Sequence, residues 1–268
     1  MTRPASWVRF ASPRLDLPGR EASGVALDLE LRGGTQQVLL GRSGSGKSLL
    51  SRLALGLVPP LPARAFGGVS IGGGEGESER VDLSLCPAGQ AVPALASLRG
   101  SFFGYLPQGG RENLVPGWSV ARHVSVLCGD DSAVAESAYE GMEQLGLDPG
   151  PAVRGAVATQ LSEGMIRRVL LAICVAQPTT VLIADEPTTG LDPASRSTVA
   201  DFLAAALADS GRGLLLTTHD LGVARRLATR FFCVDGGRIT ASAERLDGED
   251  SPFAPFLEAA ALLGQGKR

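Results

Sequence analysis

Near-continuous apolar runs that end in turn or charged residues recur along the chain and predict buried strands. Three of them are "VLLG" at 38–41, "VLIADE" at 181–186 and "GLLLTTHD" at 213–220, and a helical pattern follows each. Strands without polar alternation, interleaved with helices, are typical of a parallel sheet covered on both faces. A fourth run, "RFFCVDGGRI", contains an Asp-Gly-Gly turn suited to a hairpin. The pattern therefore predicts an α/β fold.

Two segments interrupt this alternation. Prolines and glycines break up residues 59–100, including "IGGGEGESER", and predict loops between short strands rather than core. From about residue 109 to 160 apolar positions recur at spacings of three and four, as at Val134, Ala138 and Met142. We therefore expect a helical insertion over about residues 109–160. The last residues, "LLGQGKR", are expected to be frayed.

Composition and charge exclude several classes of protein. The chain has 268 residues, 44% of them hydrophobic, which suffices for one large domain or two small ones. A net charge of -3 gives no reason to expect nucleic acid as a partner. No apolar run approaches the length of a membrane helix, and the start lacks a signal peptide, so a soluble, unexported protein is expected. Widely spaced cysteines predict reduced thiols rather than a zinc site or disulfides. They are Cys86, Cys128, Cys174 and Cys233.

The segment "GRSGSGKS" at 41–48 fits the phosphate-loop template G-x-x-x-x-G-K-[ST] in full, between a predicted strand and a helix. Its glycines allow tight winding, so that backbone N–H groups and the helix N-terminus converge on phosphate oxygens. Lys47 is expected to reach the β and γ phosphates, and Ser48 to offer its hydroxyl to Mg²⁺. A chance glycine turn before a core helix is the alternative, which the strand-to-helix context disfavours. The predicted nucleotide-binding residues here are Gly41, Ser43, Gly44, Ser45, Gly46, Lys47 and Ser48.

Charged and polar residues at two further strand ends complete a candidate hydrolytic site. Asp185 and Glu186 end the run at 181–186, where ligands bind in open α/β sheets. Asp185 is expected to hold Mg²⁺, and Glu186 to act as general base on the attacking water. A solvated strand end is the alternative for the pair taken alone. Of the two histidines, position favours His219 over His123 for contact with the γ phosphate, and a purely structural histidine remains the alternative.

Six motifs occur in the order "GRSGSGKS", "YLPQ", "LSEGM", "VLIADEP", "TGLD" and "TTHD". In this order they resemble the nucleotide-binding subunits of ATP-binding cassette (ABC) transporters, and the likeness covers roughly residues 20–240. The resemblance implies a P-loop NTPase with a RecA-like core and parallel sheet, an N-terminal antiparallel β subdomain and an inserted helical subdomain. It also implies one nucleotide-binding domain, 1–268. Its parts are a core with the β subdomain in 1–108 and 166–240, a helical subdomain with the signature loop in 109–165, and a tail in 241–268.

Carried over by position, the resemblance assigns further roles. Gln108 is the glutamine that contacts Mg²⁺ or water and couples nucleotide to a membrane partner, and His219 is the switch histidine. Asp192, Ser162 and Gly164 join the nucleotide site, the last two by capping ATP held by an opposite subunit. The expected cofactors are ATP and Mg²⁺. The expected metal ligands are Ser48, Gln108 and Asp185, and the expected catalytic residues are Glu186, His219 and Gln108.

Details such as "NLVPGWSV" and "IADEPTTGLD" are most similar to the peptide/nickel importer branch. This implies ATP-driven uptake of a peptide, nickel or a metal chelate at the cytoplasmic face of the membrane. The implied partners are transmembrane permease subunits, a second ATPase subunit, either different or identical, and indirectly a solute-binding protein, with no nucleic acid. A soluble assembly that degrades phosphonates is the alternative function. A cassette that binds ATP but barely hydrolyses it is disfavoured by Glu186 and His219.

Two positions depart from the family pattern. The aromatic residue expected to stack on adenine aligns near Pro18, so that Trp7 or Phe10 would have to serve unless both belong to the core. Glu163 stands in the signature loop where a small residue is expected. Its carboxylate either points to solvent in the first turn of a helix or weakens capping of the partner's ATP by charge repulsion. The second alternative predicts that Glu163→Gly raises turnover at the partner site.

Overall fold

The structure is a computed structural model that describes residues 6–16, 25–26, 28–57, 64–74, 77–82, 93–208, 210–246 and 253. The strands are β1 (Trp7–Asp16), β2 (Val25–Ala26), β3 (Leu29–Arg32), β4 (Gln36–Leu40), β5 (Arg64–Gly74), β6 (Glu77–Asp82), β7 (Phe103–Leu106), β8 (Val181–Asp185), β9 (Gly213–Thr218), β10 (Arg230–Asp235) and β11 (Arg238–Ala243). The helices are α1 (Lys47–Ala54), α2 (Pro93–Ala96), α3 (Val120–Cys128), α4 (Ser132–Gln144), α5 (Pro151–Gly155), α6 (Glu163–Ala176), α7 (Pro193–Leu207) and α8 (Leu221–Leu227).

Five parallel strands form the centre of the sheet in the order β7-β8-β9-β4-β10. The strands predicted from the three apolar runs are confirmed as β4, β8 and β9, and every residue of β8 and β9 is buried. The predicted hairpin is confirmed as β10 and β11, which pair antiparallel. Its turn places Gly236 at φ 53° and Gly237 at φ 78°, a left-handed conformation that glycine adopts readily.

Alternating side chains of the central strands enter two separate cores. On β8, Val181 and Ile183 belong to a core shared with α1 and the N-terminal strands, whereas Leu182 and Ala184 belong to a second core. Residues of α3, α4, α6, α7 and α8 complete the second core. A strand with apolar neighbours on both faces has no polar alternation, which is why these segments read as continuous apolar runs.

The N-terminal strands form the expected antiparallel β subdomain, in which β1 pairs with β2, β3 and β5, and β5 pairs with β6. The prediction of loops rather than core for 59–100 is wrong, because β5 spans eleven residues and Val69 and Leu95 are fully buried. Glycines in β5 make room for neighbouring side chains: a Cβ on Gly72 would lie 2.3 Å from the Trp7 ring. Close packing, rather than a turn, explains that glycine.

The predicted helical insertion is present as α3, α4, α5 and the first turn of α6. Ala138 and Met142 on α4 are fully buried, as their spacing predicted, and α4 packs against α6. A Ser or Asp side chain caps α3, α4, α6, α7 and α8 at the N-terminus. The domain boundaries stay a prediction, and α6 runs through the one placed between residues 165 and 166.

Candidate active site

The loop 41–46 connects β4 to α1, as the phosphate-loop template requires. Gly44 and Gly46 have φ of 80° and 100°, a backbone conformation that other residues adopt only at a cost. A Cβ on Gly46 would lie 2.7 Å from Gly237 Cα, and Gly237 N–H donates to Ser45 O at 2.6 Å. The hairpin turn between β10 and β11 therefore holds the loop from outside.

Lys47 begins α1, and its side chain is only 6% exposed. The ammonium donates to Gly41 O at 2.8 Å and Arg42 O at 3.1 Å, and lies 3.4 Å from Glu186 Oε1. The lysine is thus held against the loop and beside the carboxylate that ends β8. A positive charge at this position suits the β and γ phosphates of a nucleotide.

Ser48, Gln108 and Asp185 converge beside the loop. Ser48 Oγ lies 3.0 Å from Asp185 Oδ1 and 3.3 Å from Gln108 Oε1. Asp185 Oδ1 also accepts a hydrogen bond from Thr217 Oγ1, whereas Asp185 Oδ2 is buried and has no hydrogen-bond partner among the described residues. Burial raises the pKa of the Asp185 carboxyl, and the hydrogen bonds from Thr217 and Ser48 oppose this.

This set of donors fits Mg²⁺. A buried carboxylate oxygen without a partner is unfavourable unless a cation or donor satisfies it. Hydroxyl, amide and carboxylate oxygens are ligands that Mg²⁺ accepts, in company with water and nucleotide phosphates. The three residues predicted as metal ligands, Ser48, Gln108 and Asp185, are therefore brought together by the fold.

Glu186 has the backbone conformation of a strained functional residue. Its φ of 51° is the one positive value at a non-glycine among the described residues, and such a conformation costs about 1–2 kcal/mol. The Glu186 N–H donates to Thr217 O at 3.0 Å and Thr217 Oγ1 at 3.1 Å, which anchors this backbone. Its carboxylate Oε2 accepts from Thr189 Oγ1 at 2.9 Å and lies 2.9 Å from His219 Nδ1.

The two histidines differ in environment. The His219 side chain is 58% exposed and contacts Glu186, so it stands at the opening of the site. His123 is buried, with Nε2 accepting the Val115 N–H at 2.9 Å and Nδ1 2.9 Å from Ser119 O. Those two bonds require the tautomer with the proton on Nδ1. The geometry therefore gives His123 a structural position and leaves His219 beside the candidate base.

Of the remaining predicted site residues, Ser162 and Asp192 cap helices in their own chain, and Gly164 lies in the first turn of α6. Ser162 Oγ accepts the Met165 N–H at 3.2 Å at the start of α6. Asp192 caps α7, and hydrogen bonds from Ser195 hold the pKa of its carboxyl below the ordinary value. Within the described ranges, neither Ser162 nor Gly164 forms a hydrogen bond with the phosphate loop. Their predicted roles require a second subunit and stay predictions.

Glu163 is the first residue of α6, with its side chain 49% exposed. Its Oε1 lies 3.8 Å from Arg167 Nε, one helical turn away. A Cβ on Gly110 would lie 1.7 Å from the same oxygen, so the carboxylate occupies the space above that glycine. Neither alternative considered from the sequence included these contacts within the same chain.

The aromatic candidates for adenine stacking lie in the β subdomain. Phe10 is fully buried in the core shared with α1, which supports the core interpretation for that residue. Trp7 packs against Gly72 of β5, and the Arg9 guanidinium lies 5.8 Å from its ring centroid. Pro18 lies outside the described residues.

Sequence reasoning missed three residues that hold the site: Thr217, Thr189 and Arg167. Thr217 lies beside Asp185 in the register of β8 and β9. Its signal in the sequence was a pair of threonines ending an otherwise apolar strand. Arg167 donates a short hydrogen bond to Thr189 O, which joins α6 to the segment after Glu186.

A family model described as "ABC transporter" matches residues 25–189. The oligopeptide transport ATP-binding protein OppD of Lactococcus lactis subsp. cremoris is 29% identical over 86% of this chain and 66% of OppD. The chain thus spans just under two thirds of the length of that relative. The nickel import ATP-binding protein NikD of Pseudomonas putida is 35% identical over 80% of this chain and 78% of NikD.

Solved structures show the same fold. The dimeric ATP-binding cassette MJ0796, in a post-hydrolysis state bound to ADP and Pi, matches with a TM-score of 0.69 at 22% identity, covering 90% of this chain and 99% of that one. The expected fold class is thereby confirmed. No helix among the described residues is both long and apolar enough to cross a membrane.

Proposed function

The chain belongs to the ABC transporter family, and from this premise we propose that it is the ATP-hydrolysing subunit of an importer for a small solute. The solute class is a peptide, nickel or a metal chelate, supported by the names of OppD and NikD. The observation that carries the proposal is the convergence of Lys47, Asp185 and Glu186 at one edge of the sheet. Neither the contacts of the site nor the relatives named above favour the phosphonate alternative.

Nucleotide binding starts at the loop 41–48. Backbone N–H groups of the loop and the N-terminus of α1 donate to the phosphates, and the Lys47 ammonium exchanges its carbonyl partners for β and γ oxygens. Ser48, Gln108 and Asp185 would hold Mg²⁺, which would neutralise charge on the phosphate oxygens. Because Asp185 Oδ2 has no hydrogen-bond partner among the described residues, that oxygen would be available to the cation or its water.

Hydrolysis depends on Glu186. Its carboxylate accepts a proton from the attacking water, while Thr189 and His219 hold Oε2 in place and leave Oε1 toward Lys47. The strained backbone of Glu186 aims the side chain toward Lys47, and hence toward the γ phosphate that Lys47 binds. His219, at the exposed opening of the site, donates to the carboxylate or to the developing phosphate charge.

The site is completed by a second subunit. Ser162 and Gly164 cap the γ phosphate of ATP bound by an opposite cassette, a second copy or a different ATPase. The dimeric arrangement in the MJ0796 structure supports this pairing. The dimer works on transmembrane permease subunits at the cytoplasmic face, with the helices after Gln108 passing on the motion. A solute-binding protein presents the cargo to the permease from the other side.

The test is reconstitution of this chain with the permease subunits encoded beside it and their second ATPase. ATP-dependent accumulation of a peptide or nickel in vesicles is the expected result. Glu186→Gln is expected to lower turnover by about 10²–10⁴-fold while leaving ATP affinity unchanged. Glu244→Gln makes the same chemical change at an exposed position in the described tail and serves as the matched control.

Two results would count against the proposal. Recruitment of soluble enzymes in place of any membrane subunit would contradict the transport role. Normal turnover of the Glu186→Gln complex would show that Glu186 is not the base, or that the partner's site performs the hydrolysis.

A further inference from the structure

A chain of contacts joins the start of α6 to the candidate base. Arg167 donates a short hydrogen bond to Thr189 O, and Thr189 Oγ1 donates to Glu186 Oε2 at 2.9 Å. The Thr189 N–H also donates to Glu186 O at 3.2 Å. Thr189 therefore contributes, together with His219, to the orientation of Glu186 Oε2, and Arg167 holds Thr189 from the neighbouring helix.

Glu163 orients this arginine. Its Oε1 lies 3.8 Å from Arg167 Nε, which is buried and has no hydrogen-bond partner in the part of the chain that the structure describes, so the carboxylate is the charge that balances this side of the guanidinium. The same oxygen lies against Gly110, two residues after Gln108. Glu163 therefore contacts both the arginine that holds Thr189 and the segment that carries a predicted Mg²⁺ ligand.

A cavity borders the segment between Glu186 and Leu191. It has a volume of about 160 Å³ and lies between this segment and α6, and its lining includes Glu186, Pro187, Leu191, Gly164 and Arg167. The hydrogen bond from Arg167 to Thr189 O joins the segment to α6 beside this cavity.

A second tie connects the same two parts of the chain. The Arg111 guanidinium donates to Ala158 O at 2.7 Å and to Leu161 O at 3.0 Å, immediately before the signature loop. Two hydrogen bonds therefore tie the segment after Gln108 to the residues that lead into α6. Glu163, the first residue of α6, contacts Arg167 from this end of the helix.

We propose that Glu163 and Arg167 are positioning residues for hydrolysis. Together they hold Thr189, and through Thr189 they set the orientation of Glu186. Because Glu163 also rests on Gly110, that orientation depends on where the Gln108 segment lies. The proposal rests on the proposed function, in which Glu186 is the base. It makes the charged residue in the signature loop a functional part of its own chain's site.

The test is a double-mutant cycle on the assembled ATPase, with kcat and KM for ATP measured separately. Glu163→Ala removes the carboxylate, and Gly110→Ala displaces it, because the new Cβ occupies its space. Each single variant is expected to lower kcat about 2-fold with KM unchanged, the effect of losing one ion pair between side chains a helical turn apart. The double variant is expected to be no worse than either single one, since both changes act on one contact.

Matched variants separate positioning from general loss of structure. Arg167→Lys keeps the charge but loses the planar fork, and is expected to lower kcat as Glu163→Ala does. Arg168→Lys, one position along the same helix, is the control, and Gly155→Ala, where an added Cβ meets nothing within 4 Å, controls for Gly110→Ala. Thr189→Val, which removes the hydroxyl on Glu186, should lower kcat more than Thr189→Ser, which keeps it.

The outcomes distinguish the two proposals. A wild-type assembly without ATP turnover would overturn the proposed function and this inference together. If the wild type is active, two results would overturn the inference alone. One is that the Glu163→Ala and Arg167→Lys variants have the same kcat as their controls. The other is that the double variant shows additive losses of kcat. A rise in turnover with Glu163→Ala would also overturn it, and would favour charge repulsion of the partner's ATP.

Discussion

Replacing Gly46 by alanine tests how the phosphate loop keeps its shape. A non-glycine residue at φ 100° costs about 1–2 kcal/mol. The added Cβ would also meet Gly237 Cα at 2.7 Å, and forcing the hairpin backbone aside costs about 1–3 kcal/mol. The hydrogen bond from Gly237 N–H to Ser45 O would weaken, a loss of about 1 kcal/mol. The sum is a destabilisation of about 3–6 kcal/mol.

For a chain of this length, 1 kcal/mol shifts the melting temperature by about 2 °C, so Gly46→Ala should lower it by about 6–12 °C. Gly44→Ala is the matched control, because Gly44 also has positive φ, 80°, but an added Cβ there meets nothing within 4 Å. Only the conformational cost applies, and a decrease of about 2–4 °C is expected.

The measurement is thermal unfolding of the two variants by circular dichroism without nucleotide, followed by titration with a fluorescent ATP analogue. Gly46→Ala should bind the ATP analogue more weakly than Gly44→Ala does, because it moves the Ser45 carbonyl and the start of α1. Equal melting temperatures for the two variants would refute the reasoning, because they would show that the hairpin does not hold the loop.

Three further outcomes follow from buried groups. Asp185→Asn should raise the melting temperature of the nucleotide-free protein at neutral pH, because burial raises the pKa of this carboxyl and disfavours its ionised form on folding. The gain in melting temperature should shrink as pH falls through that raised pKa. A gain independent of pH would contradict this explanation. Burial raises the pKa of the Cys174 thiol to about 12, so iodoacetamide at mildly alkaline pH should label it only after unfolding, which peptide mass spectrometry would show. His123→Ala should lower the melting temperature by about 4–8 °C, because it removes a buried ring and two hydrogen bonds. A fall in ATP affinity beyond that of equally destabilised variants would contradict the structural position of His123.

The parts of the fold that sequence predicted are those decided locally. Strands β8 and β9 are buried on both faces, so their apolar runs are visible without knowledge of their partners. The prediction for residues 59–100 was wrong because glycine has two structural roles. It supplies turns, and it makes room for a neighbouring side chain, as Gly72 does for Trp7. Which role applies depends on the strand that packs against it, and composition does not reveal that strand.

The same distinction applies to the site. The phosphate loop and the carboxylates at 185 and 186 follow from template and position, whereas Thr217 reaches them through the register between β8 and β9. The spacing of Glu163 and Arg167 is visible in the sequence as a helical pair. The contact of Glu163 with Gly110 is not, because it brings together residues from two segments 53 positions apart.

The contact between Gly46 and Gly237 also imposes an order on synthesis. The hairpin turn leaves the ribosome about 190 residues after the phosphate loop, a delay of about 10–40 s at 5–20 residues per second. The flanking partners of β4, which are β9 and β10, are made in the same late interval. A nascent chain therefore carries the complete phosphate motif throughout that interval without the support that shapes it. Nucleotide binding is expected to arise only after the hairpin turn has been made.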